Sequence, residues 1–262
     1  MPLSPKIYLA SLLAAASFTG CKPALPTVPV DPGTQAQTPA AQTLPAYATS
    51  VSGTISFMGK APAPVSIDTS MDPVCSLAGG KVASEQYVVK GGKLANVYLY
   101  LKSGPPAAMS AARVPSQPVV LDQMGCQYIP HVIAVMQGGS VEFRNSDSTM
   151  HNIHTIPAEA GNQTIDVTQS PHGAPQVKQF KKPEVMMPVR CNNHPWMNAF
   201  INVSATPFFA VSDSSGKFNI QGLPPGDYVL AAAHEKLGEQ TLPVHIAANG
   251  NAKADFSFAA AK

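Results

Sequence analysis

Cys191-Asn192-Asn193-His194-Pro195-Trp196-Met197 is the stretch on which the reading of this chain turns, with His151-Asn152 lying upstream of it. On one side, Val185, Met187, Val189 and Cys191 alternate along an extended segment; on the other, Met197, Ala199, Ile201 and Val203 do the same. A period of two marks strands with one buried face. Only five residues separate Cys191 from Met197, so the connection is a tight loop. Thiol, imidazole and thioether therefore gather at one end of a β-sandwich, and His151 has to arrive from a neighbouring loop.

Two imidazoles, one thiolate and one thioether are the donor set of a blue-copper electron-transfer site. The sulfur ligands suit Cu(I), while the imidazoles keep Cu(II) acceptable. Each residue has a plainer alternative. A free Cys is often a small buried hydrophobe and a lone Met is often core filler; the spacing to His194 promotes both. Zinc held by His151, Cys191 and His194 stays open, although Cys191-x2-His194 has no Cys-x2-Cys companion. A copper oxidase requires clustered histidines, yet the chain has no His-x-His pair, and Arg190 and Asn192 flank Cys191. A catalytic thiol would need an orienting pattern that is missing here. The chain is expected not to be an enzyme.

The run, with Pro195 after its His, and the segment Gly139-Ser140-Val141-Glu142-Phe143-Arg144-Asn145-Ser146-Asp147 leading to His151-Asn152-Ile153-His154 resemble plastocyanin- and amicyanin-like cupredoxins. The resemblance covers residues 118–205. It implies a Greek-key sandwich, one type 1 copper held by His151, Cys191, His194 and Met197, and Asn152 hydrogen-bonded across to the Cys191 loop to orient the ligands. His154 competes with His151; the resemblance favours His151, which Asn directly follows. Asn193 stands where amicyanin-like loops often carry Pro and offers the Cys191 sulfur an extra backbone donor. Pro195 and Trp196 mark a docking face for an unidentified redox partner protein, with Trp196 equally readable as a buried end-cap. His154 and His131 read as surface or ligand-supporting histidines, and His172, His234 and His245 as solvent-exposed.

Lys6 and the apolar stretch from Ile7 to Phe18, too short to span a bilayer, run into Phe18-Thr19-Gly20-Cys21. This resembles a bacterial lipoprotein signal over residues 1–20. It implies lipidation of Cys21 and a membrane anchor in the cell envelope, with Lys22 pointing to the outer membrane, facing periplasm or cell surface. An ordinary secretory signal is the alternative. Residues 21–50, rich in Pro, Ala, Thr and Gln, form a semi-extended tether. With Cys21 and Cys191 assigned, Cys75 and Cys126 remain, and in an oxidising compartment they are candidates for a disulfide. The alternatives leave a thiol free or give it to a second metal site with His131 or His154.

The fold class is all-β. Residues 51–117 form an N-terminal β segment, with Val51 to Phe57 and Leu94 to Leu101 strand-like. Within 206–258, Phe208 to Ile220 reads as two strands around a turn, and Leu223 to Leu230 as a further turn and strand. This pattern resembles carboxypeptidase-regulatory-like domains, which are transthyretin-like β-sandwiches. Residues 50–105 then either join that sandwich around an inserted cupredoxin or lie on the cupredoxin as a flap. Helix is confined to a Pro-flanked candidate at Pro106 to Arg113. Charged residues make up 12% of the chain and the formal net charge is +2, which gives no signature for binding nucleic acid. The leading expectation is an envelope-anchored one-electron carrier. The alternative is copper sequestration or delivery, with Met150, Met186, Met187, His131 and His154 as extra ligands. A third is an adhesion or scaffold protein with a structural metal.

Overall fold

The computed structural model describes residues 47–77 and 82–260. The signal at 1–20, Cys21 and most of the tether lie outside the described residues. Among those described, no helix is long and apolar enough to cross a membrane. Four β-sheets enclose two hydrophobic cores, giving two sandwiches.

Ser50–Met58 is the hub of the first sandwich. It pairs antiparallel with Lys217–Gln221 and Lys93–Leu94, and parallel with Asn251–Lys253 and Phe256–Ala259. Its alternation sends Val51, Ile55 and Phe57 into the core. Gly53 continues the inward row, where a Cβ would stand 1.8 Å from the Ala254 carbonyl oxygen. The facing sheet runs Phe209–Val211, Tyr98–Ser103, Gly226–His234, Gly238–Ile246.

Two expected elements differ. The strand from Leu94 to Leu101 is broken into Lys93–Leu94 and Tyr98–Ser103, in different sheets, at Asn96 with φ 63°. Asn is among the few residues that adopt this left-handed conformation readily. Likewise the strands around Asp213–Gly216 belong to different sheets, so the turn is a crossing rather than a hairpin.

After Tyr98–Ser103 the chain passes a short helix, Pro106–Met109, enters the second sandwich at Val119 and leaves it at Ser204. One sheet is ordered Asp166–Gln169, His151–Thr155, Glu184–Arg190, Asn198–Ser204, Val132–Met136. The other is ordered Gln176–Gln179, Ser140–Asn145, Val119–Gln123, Tyr128–Ile129. Met187, Val189, Cys191, Met197, Ala199, Ile201 and Val203 all face the shared core. Val185 does not: it is 40% exposed. The register shifts between Glu184 and Met187, and Met186 takes φ 52° while donating its N–H to Asn202 Oδ1 at 2.7 Å. Such a bulge reverses the facing of the residues before it. Glu184 is thereby buried, its oxygens accepting from Ala158 N and Asn162 Nδ2.

Between the strands of the first sandwich, the segment carrying Asp72, Cys75 and Ala83 reaches the second, while Ala61 and Tyr87 pack on the first core. Ser66 bridges to Ala83, and Asp72 opens a helix, Pro73–Leu77, that the sequence pattern does not signal. Asp72 Oδ1 accepts the N–H groups of Val74 and Cys75 while Pro73 follows it, a helix start in which proline loses no bond. Cys75 is bonded to Cys126 and both sit in the second core. His234 corrects its expected exposure. It ends the buried row Ala231-Ala232-Ala233 and stacks on Tyr87, with ring centroids 6.0 Å apart. His131 is also buried, its Nε2 2.6 Å from the Glu235 carboxylate of the first sandwich.

Candidate metal centre

Cys191 follows the end of Glu184–Arg190 and Met197 precedes Asn198–Ser204, two strands paired from Arg190↔Asn198 upward. Between them the loop closes on itself: Cys191 N–H donates to Met197 O at 3.2 Å, and Met197 N–H to His194 O at 2.9 Å. His151 opens the neighbouring strand His151–Thr155, whose pairing with Glu184–Arg190 brings it to the same edge. All four side chains are buried.

The donor atoms of three of them converge. His151 Nδ1 lies 2.9 Å from His194 Nδ1, and Cys191 Sγ lies 3.6 Å from His194 Nδ1; the triad fits within 4.8 Å. Met197 is packed in the same core. His154 points elsewhere, its Nδ1 2.9 Å from Asn192 Oδ1 and its ring half-buried.

What holds the rings is carboxylate on their far edges. His151 Nε2 is 2.8 Å from Asp147 Oδ2, and His194 Nε2 is 3.0 Å from Asp72 Oδ2. Burial raises the pKa of each acid, but hydrogen bonds outweigh it. The His194, Thr149 and backbone donors bring Asp72 down to about 2, and His151 with the N–H groups of Cys126 and Gly125 lowers Asp147. Both are therefore carboxylates that only accept, so each Nε2 carries the proton.

The sulfur is held by donors too. Asn152 N–H reaches Sγ at 3.3 Å. Burial pushes the Cys191 thiol up, yet His151, Asn152 N–H, His194 and Asn193 N–H together bring it down to about 7. Burial likewise disfavours a charged His151, but Asp147 and Cys191 lift it to about 9. The Asn152 side chain ties the loops together: Oδ1 accepts Asn192 N–H at 3.3 Å and Nδ2 donates to Asp166 Oδ1 at 2.8 Å. The buried Tyr128 hydroxyl donates to Asn152 O.

These residues fit a soft, positively charged metal. With each Nε2 turned to its carboxylate, His151 Nδ1, His194 Nδ1 and Cys191 Sγ are left facing one another, three donor atoms that a single proton cannot satisfy together. A cation does, and the N₂S donor set, with Met197 packed in the same core, suits copper. Two other clusters, Asp72 with Cys75 and His194 and Cys126 with Asp147 and His151, spend their sulfur in the disulfide and offer no thiolate.

Trp196 is half-buried, its Nε1 donating to Cys126 O at 3.1 Å and its ring 5.1 Å from His194, while Pro195 is exposed. Asp72 lies against the Nε2 edge of His194. Asp72 and Asp147 were both missed by sequence reasoning. Asp147 had a local signal, four residues before His151 in the quoted segment. Asp72 had none, lying 122 positions from its partner.

No protein-family model and no curated protein matches the sequence. Among solved structures, part of the chain is similar to the copper-containing nitrite reductase (NirK) from Thermus scotoductus SA-01, with 25% identity and a TM-score of 0.31 over 36% of this chain. The chain spans only 24% of that protein's length. A Cu(I) form of an amicyanin variant is 20% identical, with a TM-score of 0.30, over 40% of this chain and 97% of the other. A purple cupredoxin from Nitrosopumilus maritimus is 21% identical, with a TM-score of 0.27, over 33% and 99%. The similar structures are thus cupredoxins and a copper-containing reductase, each matching a third to two fifths of this chain.

Proposed function

We propose that this chain is a type 1 copper protein of the bacterial envelope that passes single electrons between redox partners. The observation that carries the proposal is the buried convergence of His151 Nδ1, His194 Nδ1 and Cys191 Sγ, with both imidazole N–H edges tied to carboxylates. Copper bound there would supply a Cu(II)/Cu(I) couple that thiolate, imidazole and thioether ligands tolerate in both states.

The protein's own part is to keep the donors in place. Asp147 and Asp72 fix ring orientation and tautomer, Asn152 N–H steadies the thiolate, and burial keeps water out. Ligands held this way have little to rearrange when charge changes, and no substrate bond is made or broken. Pro195 and Trp196 are the proposed contact with the partner. The Cys75–Cys126 bond suits an oxidising compartment, in keeping with a lipid anchor at Cys21.

The test is the visible spectrum of copper-loaded protein. One equivalent of Cu(II) should produce an intense thiolate-to-copper band that Cys191→Ser abolishes. A colourless protein that retains zinc, or several loosely held coppers per chain, would refute the proposal.

A further inference from the structure

The loop residues around His194, namely Asn192, Asn193 and Pro195, are exposed, yet His194 itself is 4% exposed. Its cover is Asp72. Both oxygens of that carboxylate are engaged. Oδ1 accepts from Val74 N at 2.7 Å and Cys75 N at 3.3 Å, and Oδ2 from the Thr149 hydroxyl at 2.8 Å and His194 Nε2 at 3.0 Å. The first two donors begin the helix Pro73–Leu77, so the carboxylate is placed by backbone rather than by a free rotamer. The Thr149 bond ties it to the loop that delivers His151.

Cys75 extends the connection. It is bonded to Cys126, whose N–H donates at 2.8 Å to Asp147, the carboxylate behind His151. One covalent link therefore joins the supports of both imidazoles. The turn bearing Asp72 comes from a segment between strands of the other sandwich, not from the strands that carry the ligands.

We propose that Asp72 is a positioning residue that completes the metal centre, a role that rests on the copper site proposed above. It orients His194, makes the ring a more basic ligand, and shuts its outer edge to small molecules. A carboxylate bonded to a ligating imidazole raises ligand basicity, and its negative charge favours Cu(II) over Cu(I).

The test compares copper-loaded wild type with Asp72→Asn and Asp72→Ala. Asn is as good as Asp at a helix start, so Asp72→Asn removes the charge while keeping the turn, and it decides the question even if Asp72→Ala misfolds. All three proteins should show the thiolate-to-copper band. In a redox buffer poised at the wild-type midpoint, the Cu(I):Cu(II) ratio should rise about tenfold in Asp72→Asn, equivalent to about 59 mV. Azide should perturb the band of Asp72→Ala at concentrations that leave wild type unchanged. A ratio within about twofold of wild type in Asp72→Asn overturns the role of Asp72, whatever Asp72→Ala does, and leaves the copper site standing. A wild type without the band overturns the copper site and this role together.

Discussion

Moving the protein without added metal from pH 7 to pH 5 should weaken it through one buried side chain of the first sandwich, His234. Burial of this ring brings its pKa down to about 4 from an ordinary 6.5, with the Glu235 charge opposing and His131 and Lys236 adding to the shift. Its Nδ1 accepts the Lys236 N–H at 3.2 Å, so a proton there would displace an existing bond, and its Nε2 has no partner among the described residues. Tyr87 and Phe258 flank the ring. The unfolded ring binds a proton near pH 6.5 and the folded ring only near pH 4. The unfolded state therefore holds more protons across that window, and stability falls as pH falls through it. Each pH unit within the window is worth about 1.4 kcal/mol, which gives about 2 kcal/mol by pH 5 and about 3 kcal/mol by pH 4. Urea midpoints of wild type and His234→Phe at pH 7 and pH 5 measure it. The variant loses the Lys236 bond at both pH values, so the diagnostic quantity is the difference in pH dependence. Equal losses in the two proteins would refute the assignment.

Met197→Leu should keep copper and its band but change the reduction potential, as read by redox titration; loss of copper would mean that the metal lies elsewhere. Replacing Cys75 and Cys126 together by Ala should lower unfolding free energy by about 4 kcal/mol, because the link closes a loop spanning 51 positions. A loss below about 1 kcal/mol would show that the unfolded chain is already restrained there. Gly53→Ala should cost about 3 kcal/mol of unfolding free energy by urea titration, since its Cβ would meet the Ala254 backbone carbonyl at 1.8 Å and the Phe218 ring at 2.9 Å, and the carbonyl cannot yield without moving its strand. A neutral result would show that the Ser50–Met58 pairing is looser than drawn.

Local alternation made most of the sheet that carries Cys191 and Met197 legible. From Met187 to Cys191 and from Met197 to Val203, a period of two fixes which side chains turn inward, and the five-residue gap leaves room only for a tight loop. The exception at Val185 is instructive. Its facing is decided by a bulge whose partner, the Asn202 side chain, lies on another strand, and a periodic pattern carries no trace of that. The break at Asn96 belongs to the same class: the residue permits a left-handed turn, but only the second sheet requires it. His234 was misread because histidine is a polar letter in a buried row of alanines, and its stacking partner Tyr87 is far away in sequence. The helix at Pro73–Leu77 is too short to display a period, and the Asp-Pro pair that starts it is equally common in turns. Asp72 was invisible for a deeper reason. A polar contact across 122 positions depends on how two sandwiches are assembled, and no local propensity encodes it.

That separation also orders events in time. Residue 72 leaves the ribosome, or any translocation channel, well before residue 194, and the bond between them cannot form until the later strands have folded and aligned. Contacts of long sequence separation close late because the loop entropy has to be met first. The carboxylate behind His194 is therefore among the last pieces to seat. On the copper reading proposed above, a metal ion meeting an unfinished chain would find the thiol but not the closed edge, so full retention of the ion would be a property of the completed protein alone.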